Sequence, residues 1–291
     1  MSIPLQRLGK QLFFKSPALT KPLVAGYATT AIPSLTSSGR ILPTIEPSQS
    51  NKQLYAFTSL EGKRLFREAM DQGHAESFFK LMGNFSGQSS SMLGSVSSLA
   101  MVLNALEIDP KRRWKGSWRW YSDEILETCS TREQVLTRGM SFDEFACTAQ
   151  SHCHVQPYRA SSSPPGYSRF IRHLSLVTSK GSPSIMVVNY SRSRLGQKAQ
   201  KFSGHFSPVG GYNKASNRVL IMDVARGQYP SVWVDARALY EAMQEGDIYE
   251  AGKSRGYFLL EAPGSFINQP SITCNACSQR HCQKQRVQAN A

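Results

Sequence analysis

The stretch Gly204-His205-Phe206-Ser207-Pro208-Val209-Gly210-Gly211-Tyr212-Asn213, followed by Leu220-Ile221-Met222-Asp223-Val224-Ala225-Arg226, decides how this chain is read. Both blocks have the apolar content of strands, and Asn213 to Asn217 between them is turn-forming. The reading predicts a histidine and an aspartate on two joined strands. A base and its orienting carboxylate are held in this way in enzymes with a cysteine nucleophile. Asp223 lies between Met222 and Val224 on a strand expected to be buried. It therefore needs a partner, and His205 is the nearest one the pattern offers.

The regions on either side predict the architecture. Before the blocks the apolar period is helical. Leu65, Phe66 and Met70 form one stripe, Ala75 to Leu81 a short second helix, and Ser97 to Leu106 a helix with almost no polar face, which places it in the middle of the fold. Residues 122–130 and 141–150 read as further helices, with Ser122 and Ser141 as N-caps. From Ile185 the period changes to strands, at Ile185–Tyr190, Phe206–Tyr212, Val219–Val224 and Tyr257–Leu260, interrupted by a helix at Ala236–Met243. Helices first and an antiparallel sheet second predict an α+β fold. Three segments follow: a basic start at 1–43, a core at 44–262, and a Pro-, Asn- and Gln-rich tail at 263–291.

The chain has 291 residues and a formal charge of +14. Eight of those charges lie at the two ends, in Arg7, Lys10, Lys15, Lys21 and Arg40 and in Arg280, Lys284 and Arg286, with no acidic residue beside them. The core is left with a surplus that suits a small anionic substrate. No nucleic-acid recognition motif is present, and no apolar run reaches the length of a membrane span. Leu5, Leu8, Leu12 and Phe13 at helical spacing among basic residues read as a mitochondrial targeting segment; the alternative is a cytoplasmic protein with a basic tail. The six cysteines fit a reducing compartment better than a disulfide framework, with Cys129, Cys147 and Cys153 as scattered small core residues.

Several ordered stretches are specific enough to identify a family. They are Glu76-Ser77-Phe78-Phe79-Lys80-Leu81, Ser98 to Leu106, Ile108-Asp109-Pro110, Arg113-Trp114-Lys115-Gly116-Ser117-Trp118-Arg119-Trp120, Lys253-Ser254-Arg255-Gly256-Tyr257 and the two opening blocks. Together they resemble phytochelatin synthase, a papain-like family of glutathione γ-glutamylcysteinyltransferases. The resemblance implies a cysteine on a buried helix packed against an antiparallel sheet. That cysteine attacks glutathione, expels glycine and passes the γ-glutamylcysteinyl group to a second glutathione. It also implies no tightly bound cofactor, and a heavy-metal ion (Cd²⁺ or Zn²⁺) as activator or as part of a metal–glutathione substrate. Carried over by motif, His205 is the base, Asp223 fixes its tautomer, Gln88 donates to the oxyanion, and Arg226 and Arg255 clamp glutathione carboxylates. The expected partners are glutathione and metal ions, with neither nucleic acid nor membrane.

The chain departs from the family at one decisive place. Counting back from Met101-Val102-Leu103, the nucleophilic cysteine is replaced by Gly94, and Ser95 stands where the family has glycine. Glycine has no nucleophile, and losing that member of a triad removes on the order of a millionfold in turnover. Ser95 is one helical step away, about 100° round the axis, so it is expected to point away from His205. Two readings follow: a transferase whose nucleophile is lost, or a pseudoenzyme that binds glutathione or its metal thiolates. Intact His205, Asp223, Gln88 and Arg226 favour a recent loss over long erosion.

Two clusters carry metal-like chemistry. In the tail, Cys274 and Cys277 with His281 and Cys282 have soft ligands at a spacing that suits Zn²⁺ or Cd²⁺. His152 and His154 flank Cys153, with surface histidines as the plainer expectation. Trp114, Trp118, Trp120 and Tyr121 read first as packing.

Overall fold

The computed structural model describes residues 54–198 and 204–264. The basic start, and Cys274, Cys277, His281 and Cys282 of the tail, lie outside the described residues. Among those described, no helix is long and apolar enough to cross a membrane.

The fold is α+β. The elements run β1 (Tyr55–Ala56), α1 (Leu60–Asp71), α2 (Glu76–Met82), α3 (Gly94–Ala105), α4 (Arg132–Arg138), α5 (Phe142–Gln150), β2 (His154–Arg159), α6 (Pro164–Thr178), β3 (Ser184–Ser191), β4 (Gly204–Asn213), β5 (Arg218–Ile221), β6 (Val232–Asp235), α7 (Ala236–Gln244) and β7 (Gly256–Glu261). The strands form one sheet in the order β1-β6-β5-β4-β3-β7-β2, each antiparallel to its neighbour.

Both faces of the central strands are covered, which is why they read as nearly unbroken apolar runs. On one face Val187, Phe206 and Phe258 pack with α3 and α5; on the other Val188, Tyr190 and Val209 pack with α6 and α7. Phe145 of α5 stacks on Phe206, ring centroids 4.7 Å apart, and so fixes the strand residue next to His205. Every residue of α3 is buried. The position that resembles the family's nucleophile is therefore the first residue of a helix enclosed on all sides, packed on the sheet as the resemblance implies.

Between Val209 and Gly211 the β4–β5 register skips one residue, leaving Gly210 as a bulge. A Cβ at Gly210 would lie 2.8 Å from Met222 Sδ, so a larger residue there would make the Met222 side chain shift away from β4. Strand β5 ends at Ile221, and Asp223 sits two residues past it rather than on it.

Other expectations are corrected. Residues 122–130 form a turn and bends, not a helix: Ser122 Oγ makes no capping hydrogen bond, and the Asp123 carboxylate next to it is taken by Ser89 and Ser97. The helix lies further on, at α4, where Thr131 and Gln134 form a capping box. The Ser141 cap of α5 is present, also as a capping box with Glu144. Helix α6, opened by Pro164 after Ser163, was not expected at all.

The tryptophan cluster does not pack as one body. Trp118 is 75 % exposed on a tight turn that Gly116 makes at φ +57°, whereas Tyr121 is buried. Cys129 and Cys147 are joined in a disulfide, Cα atoms 6.2 Å apart, and only Cys153 of the described cysteines is free and buried. His152 is half-buried against Tyr121 rather than on the surface. The described residues hold no group of three or more His, Cys, Asp or Glu side chains placed for a metal ion.

Leu99 has no exposed surface in the middle of α3. Leu99→Ala is expected to lower the unfolding free energy by about 2–5 kcal/mol, the range for truncating a leucine in a rigid core. Urea titration of the variant beside the parent checks this.

Candidate active site

Three segments that meet at one end of neighbouring strands build the site. Strand β3 ends at Ser191 and β4 begins at Gly204, paired with it; β5 ends alongside. Arg192, His205 and Asp223 each stand at or just past that edge. Asp223 has no exposed surface, and two other side chains meet its charge. His205 Nε2 lies 2.9 Å from Oδ1, with its N–H turned off the line of a full hydrogen bond. Arg192 donates from Nη1 to Oδ2 at 2.6 Å and from Nη2 to Oδ1 at 3.0 Å. Arg192 is itself buried, its guanidinium 3.8 Å from the ring centre of Tyr229.

Burial alone would raise the Asp223 carboxyl, but the charge and paired hydrogen bonds of Arg192, with the His205 ring alongside, outweigh it and hold the group far below the usual carboxylate range. For His205 the balance runs the other way. Burial, with the Arg192 charge, outweighs the attraction of Asp223, so the ring is pushed below its ordinary value and stays neutral near pH 7. Neutral imidazole with Nε2 towards the carboxylate leaves Nδ1 facing the cleft.

Position 94 is opposite Nδ1. A Cβ built on Gly94 would lie 2.6 Å from His205 Cε1, 2.9 Å from His205 Nδ1 and 3.0 Å from Gln88 Oε1. A side chain there would point between the base and the amide, where a nucleophile belongs. The ring has closed into that space, so a cysteine would have to displace it slightly. Gln88 Oε1 is buried without a hydrogen-bond partner, and half a turn of the amide would present its N–H₂ instead. Its backbone N–H donates to Val224 O at 3.0 Å. Next to it, Ser89 N, Ser89 Oγ and Ser97 Oγ all donate to Asp123 Oδ2 at 2.8, 2.9 and 2.9 Å. One carboxylate thus ties the Gln88 loop to α3.

The cleft over these groups has a volume of about 280 Å³, and Gln88, Gly94, Ser95, Arg138, Arg192 and His205 are among its walls. Ser95 Oγ is buried there without a hydrogen-bond partner. The two arginines expected at the substrate are placed elsewhere. Arg226 is exposed beyond Asp223, 6.0 Å from the ring centre of Phe85. Arg255 is fully buried beside Gly204 and donates to the carbonyls of Glu245 and Gly246 at 2.8 and 3.1 Å. Neither lines the cleft. The geometry therefore brings together His205, Asp223, Gln88 and Gly94, and adds Arg192, which the motif reading missed. The signal was present: a buried aspartate needs more countercharge than a neutral histidine supplies, and Arg192 directly follows an apolar strand that ends where β4 begins.

Two predictions follow from this electrostatic arrangement. Arg192→Met leaves Asp223 without its doubly hydrogen-bonded partner and is expected to destabilise the protein by roughly 3–5 kcal/mol, as for any broken buried pair; urea titration reads it directly. In the second, stability is expected to be level between about pH 7 and 8 and to fall as pH drops through the ordinary imidazole value of 6.5. Below that pH the unfolded chain takes up a proton that native His205 refuses. His74, His152 and His173 are pushed down by burial too, so thermal melts of His205→Gln should show a shallower acid decline, not a flat one.

Residues 46–257 match the family model described as phytochelatin synthase. Glutathione gamma-glutamylcysteinyltransferase 3 of Lotus japonicus is 40 % identical over 205 residues, 70 % of this chain and 41 % of that protein. Glutathione gamma-glutamylcysteinyltransferase 1 of Arabidopsis thaliana is 40 % identical over 71 % of this chain and 41 % of its own length. The Schizosaccharomyces pombe relative is 33 % identical over 91 % of this chain and 63 % of its own length. The chain thus spans two fifths to just under two thirds of the length of these relatives. A match over most of the chain, which includes the strands and helix that carry the site, settles its kinship: the chain belongs to the phytochelatin synthase family.

Proposed function

We propose that the cleft is a glutathione site built for γ-glutamylcysteinyl transfer, and that the chain as written binds substrate there without forming the acyl-enzyme. The observation that carries this reading is the position of residue 94, whose missing Cβ points between His205 and Gln88. With a thiol there, His205 Nδ1 would take its proton, and the N-terminus of α3 would favour the thiolate. Attack on the γ-glutamylcysteinyl carbonyl would put negative charge on its oxygen beside Gln88, and the imidazolium would return a proton to the departing glycine. Asp223, held by Arg192, keeps the ring in one tautomer and stabilises its charged form. Glycine supplies none of the first step, so what remains is a binding site with a base.

Relatives are named glutathione gamma-glutamylcysteinyltransferases, which supports glutathione as the substrate class here. A heavy-metal ion enters this reading as part of a metal–glutathione substrate or as an activator, with Cys274, Cys277, His281 and Cys282 as its proposed ligands. The acid-free start at 1–43 is proposed as a mitochondrial presequence. The second reading, a binding protein that holds glutathione or its metal thiolates, takes its support from the open cleft over a complete His205–Asp223–Arg192 set.

The test is glycine release from glutathione with Cd²⁺, measured for the parent, Gly94→Cys, Gly94→Ala and Ser95→Ala. The reading expects turnover from Gly94→Cys alone, on the order of a millionfold above the others. Turnover by the parent that disappears in Ser95→Ala would instead make Ser95 the nucleophile. A silent but glutathione-binding Gly94→Cys would favour the binding protein.

A further inference from the structure

We propose that a second cavity, separate from the cleft, takes a small anionic thiol, and that the Cys129–Cys147 disulfide in its wall exchanges with that thiol to leave a mixed disulfide on Cys129. The cavity has a volume of about 660 Å³ and is lined by Leu93 and Val96 at the start of α3, by Cys129, and by two guanidiniums and two carboxylates, Arg112, Arg132, Glu124 and Glu127. Its size is that of an ordinary small-molecule site, roughly 300–1,000 Å³. The active-site cleft is bounded by a different set of residues.

The lining has the chemistry of a peptide thiol. Arg112 pairs with Glu127 at 2.7 Å, and Arg132 donates to the Asp123 carbonyl at 3.0 Å. Each guanidinium carries five N–H donors in a planar fork, so these contacts leave further donors that can meet a carboxylate. Glu127 offers a counterpart for an ammonium group. Apolar Leu93 and Val96 complete the wall against a short chain.

The two sulfurs differ in access. Cys129 is half-buried and lines the cavity, whereas Cys147 is 4 % exposed within α5. An incoming thiolate can therefore reach only one of them. In the exchange its sulfur bonds to Cys129 Sγ, the Sγ–Sγ bond to Cys147 breaks, and Cys147 leaves with the electron pair and takes up a proton. One disulfide is consumed and one is formed, so no outside oxidant or reductant is needed. Arg112 and Arg132 in the same wall offer contacts to the carboxylates of such a thiol that a neutral thiol lacks.

That the thiol is glutathione rests on the substrate proposed for the cleft; the cavity and the exchange do not. In the experiment, the full chain with its disulfide intact is incubated with reduced glutathione, or with 2-mercaptoethanol at equal thiolate concentration. Samples are acid-quenched, alkylated and mapped by peptide mass spectrometry. The expected result is a glutathionyl group on Cys129, an alkylated Cys147, and opening about tenfold faster with glutathione than with the neutral thiol, the worth of one charge-assisted contact. Arg112→Gln and Arg132→Gln should each reduce that preference; since Arg112 also donates to the Ile125 carbonyl and Arg132 to the Asp123 carbonyl, urea titration of each variant confirms that the loop is still folded. The proposal is overturned by a disulfide that stays closed, by two alkylated thiols with no adduct, by an adduct on Cys147, or by equal rates with both thiols. Loss of the adduct in His205→Gln would overturn it as well, since the thiol would then act from the cleft. Glycine release by Gly94→Cys is scored separately, so failure of the substrate reading and failure of this one leave different records.

Discussion

A carboxylate without exposed surface governs the site end of this fold. An isolated ionised Asp223 would be very costly to bury, so the chain must bring countercharge to it. Arg192 comes from the end of β3, His205 from the start of β4, and Asp223 itself from just past β5. These strands are consecutive neighbours in an antiparallel sheet, so the three side chains reach the same edge only when the β3–β4 and β4–β5 registers are both correct. The bulge at Gly210 contributes by letting Met222 settle against β4 immediately before the aspartate. The charge cluster is thus satisfied by the same hydrogen-bond ladders that build the sheet.

A second buried acid does for the helical layer what Asp223 does for the sheet. Asp123 gathers the Gln88–Ser89 loop and α3 onto one oxygen atom. The Gln88 backbone also bonds to Val224, next to Asp223. Loop, helix and sheet edge are therefore cross-tied without any contribution from residue 94, and the surroundings of the missing nucleophile keep their form.

Much of this could be read from the amino acids because the informative partners are close in the chain. His205 and Asp223 are joined by one hairpin, and the α3 pattern is apolar on every side. The Ser141 cap announced α5 through local hydrogen bonds alone. What escaped depended on distant partners. Ser122 has the appearance of an N-cap until the next residue, Asp123, is known to be held by Ser89 and Ser97, and the Cys129–Cys147 pair is a matter of Cα separation that spacing does not encode. Arg255 matched a family motif, yet the backbone carbonyls of Glu245 and Gly246 occupy it. A motif locates a residue in the chain, whereas the direction of its side chain is decided by whichever partner is nearest.

The Arg192–Asp223 pair also changes what survival of a residue can mean. It would be natural to take an intact base and carboxylate as the mark of a catalyst only lately silenced. Yet removing either member of the pair would strand the other as an unmatched charge inside the protein, whether or not any reaction occurs. Selection for folding alone would keep Asp223 in place long after selection for turnover had ceased. Residue 94 has no such second duty, since at the first turn of α3 it holds nothing else together. A lineage that loses the reaction is therefore free to lose the nucleophile first and the carboxylate last, and the retention of Asp223 records the demands of folding rather than the age of the loss.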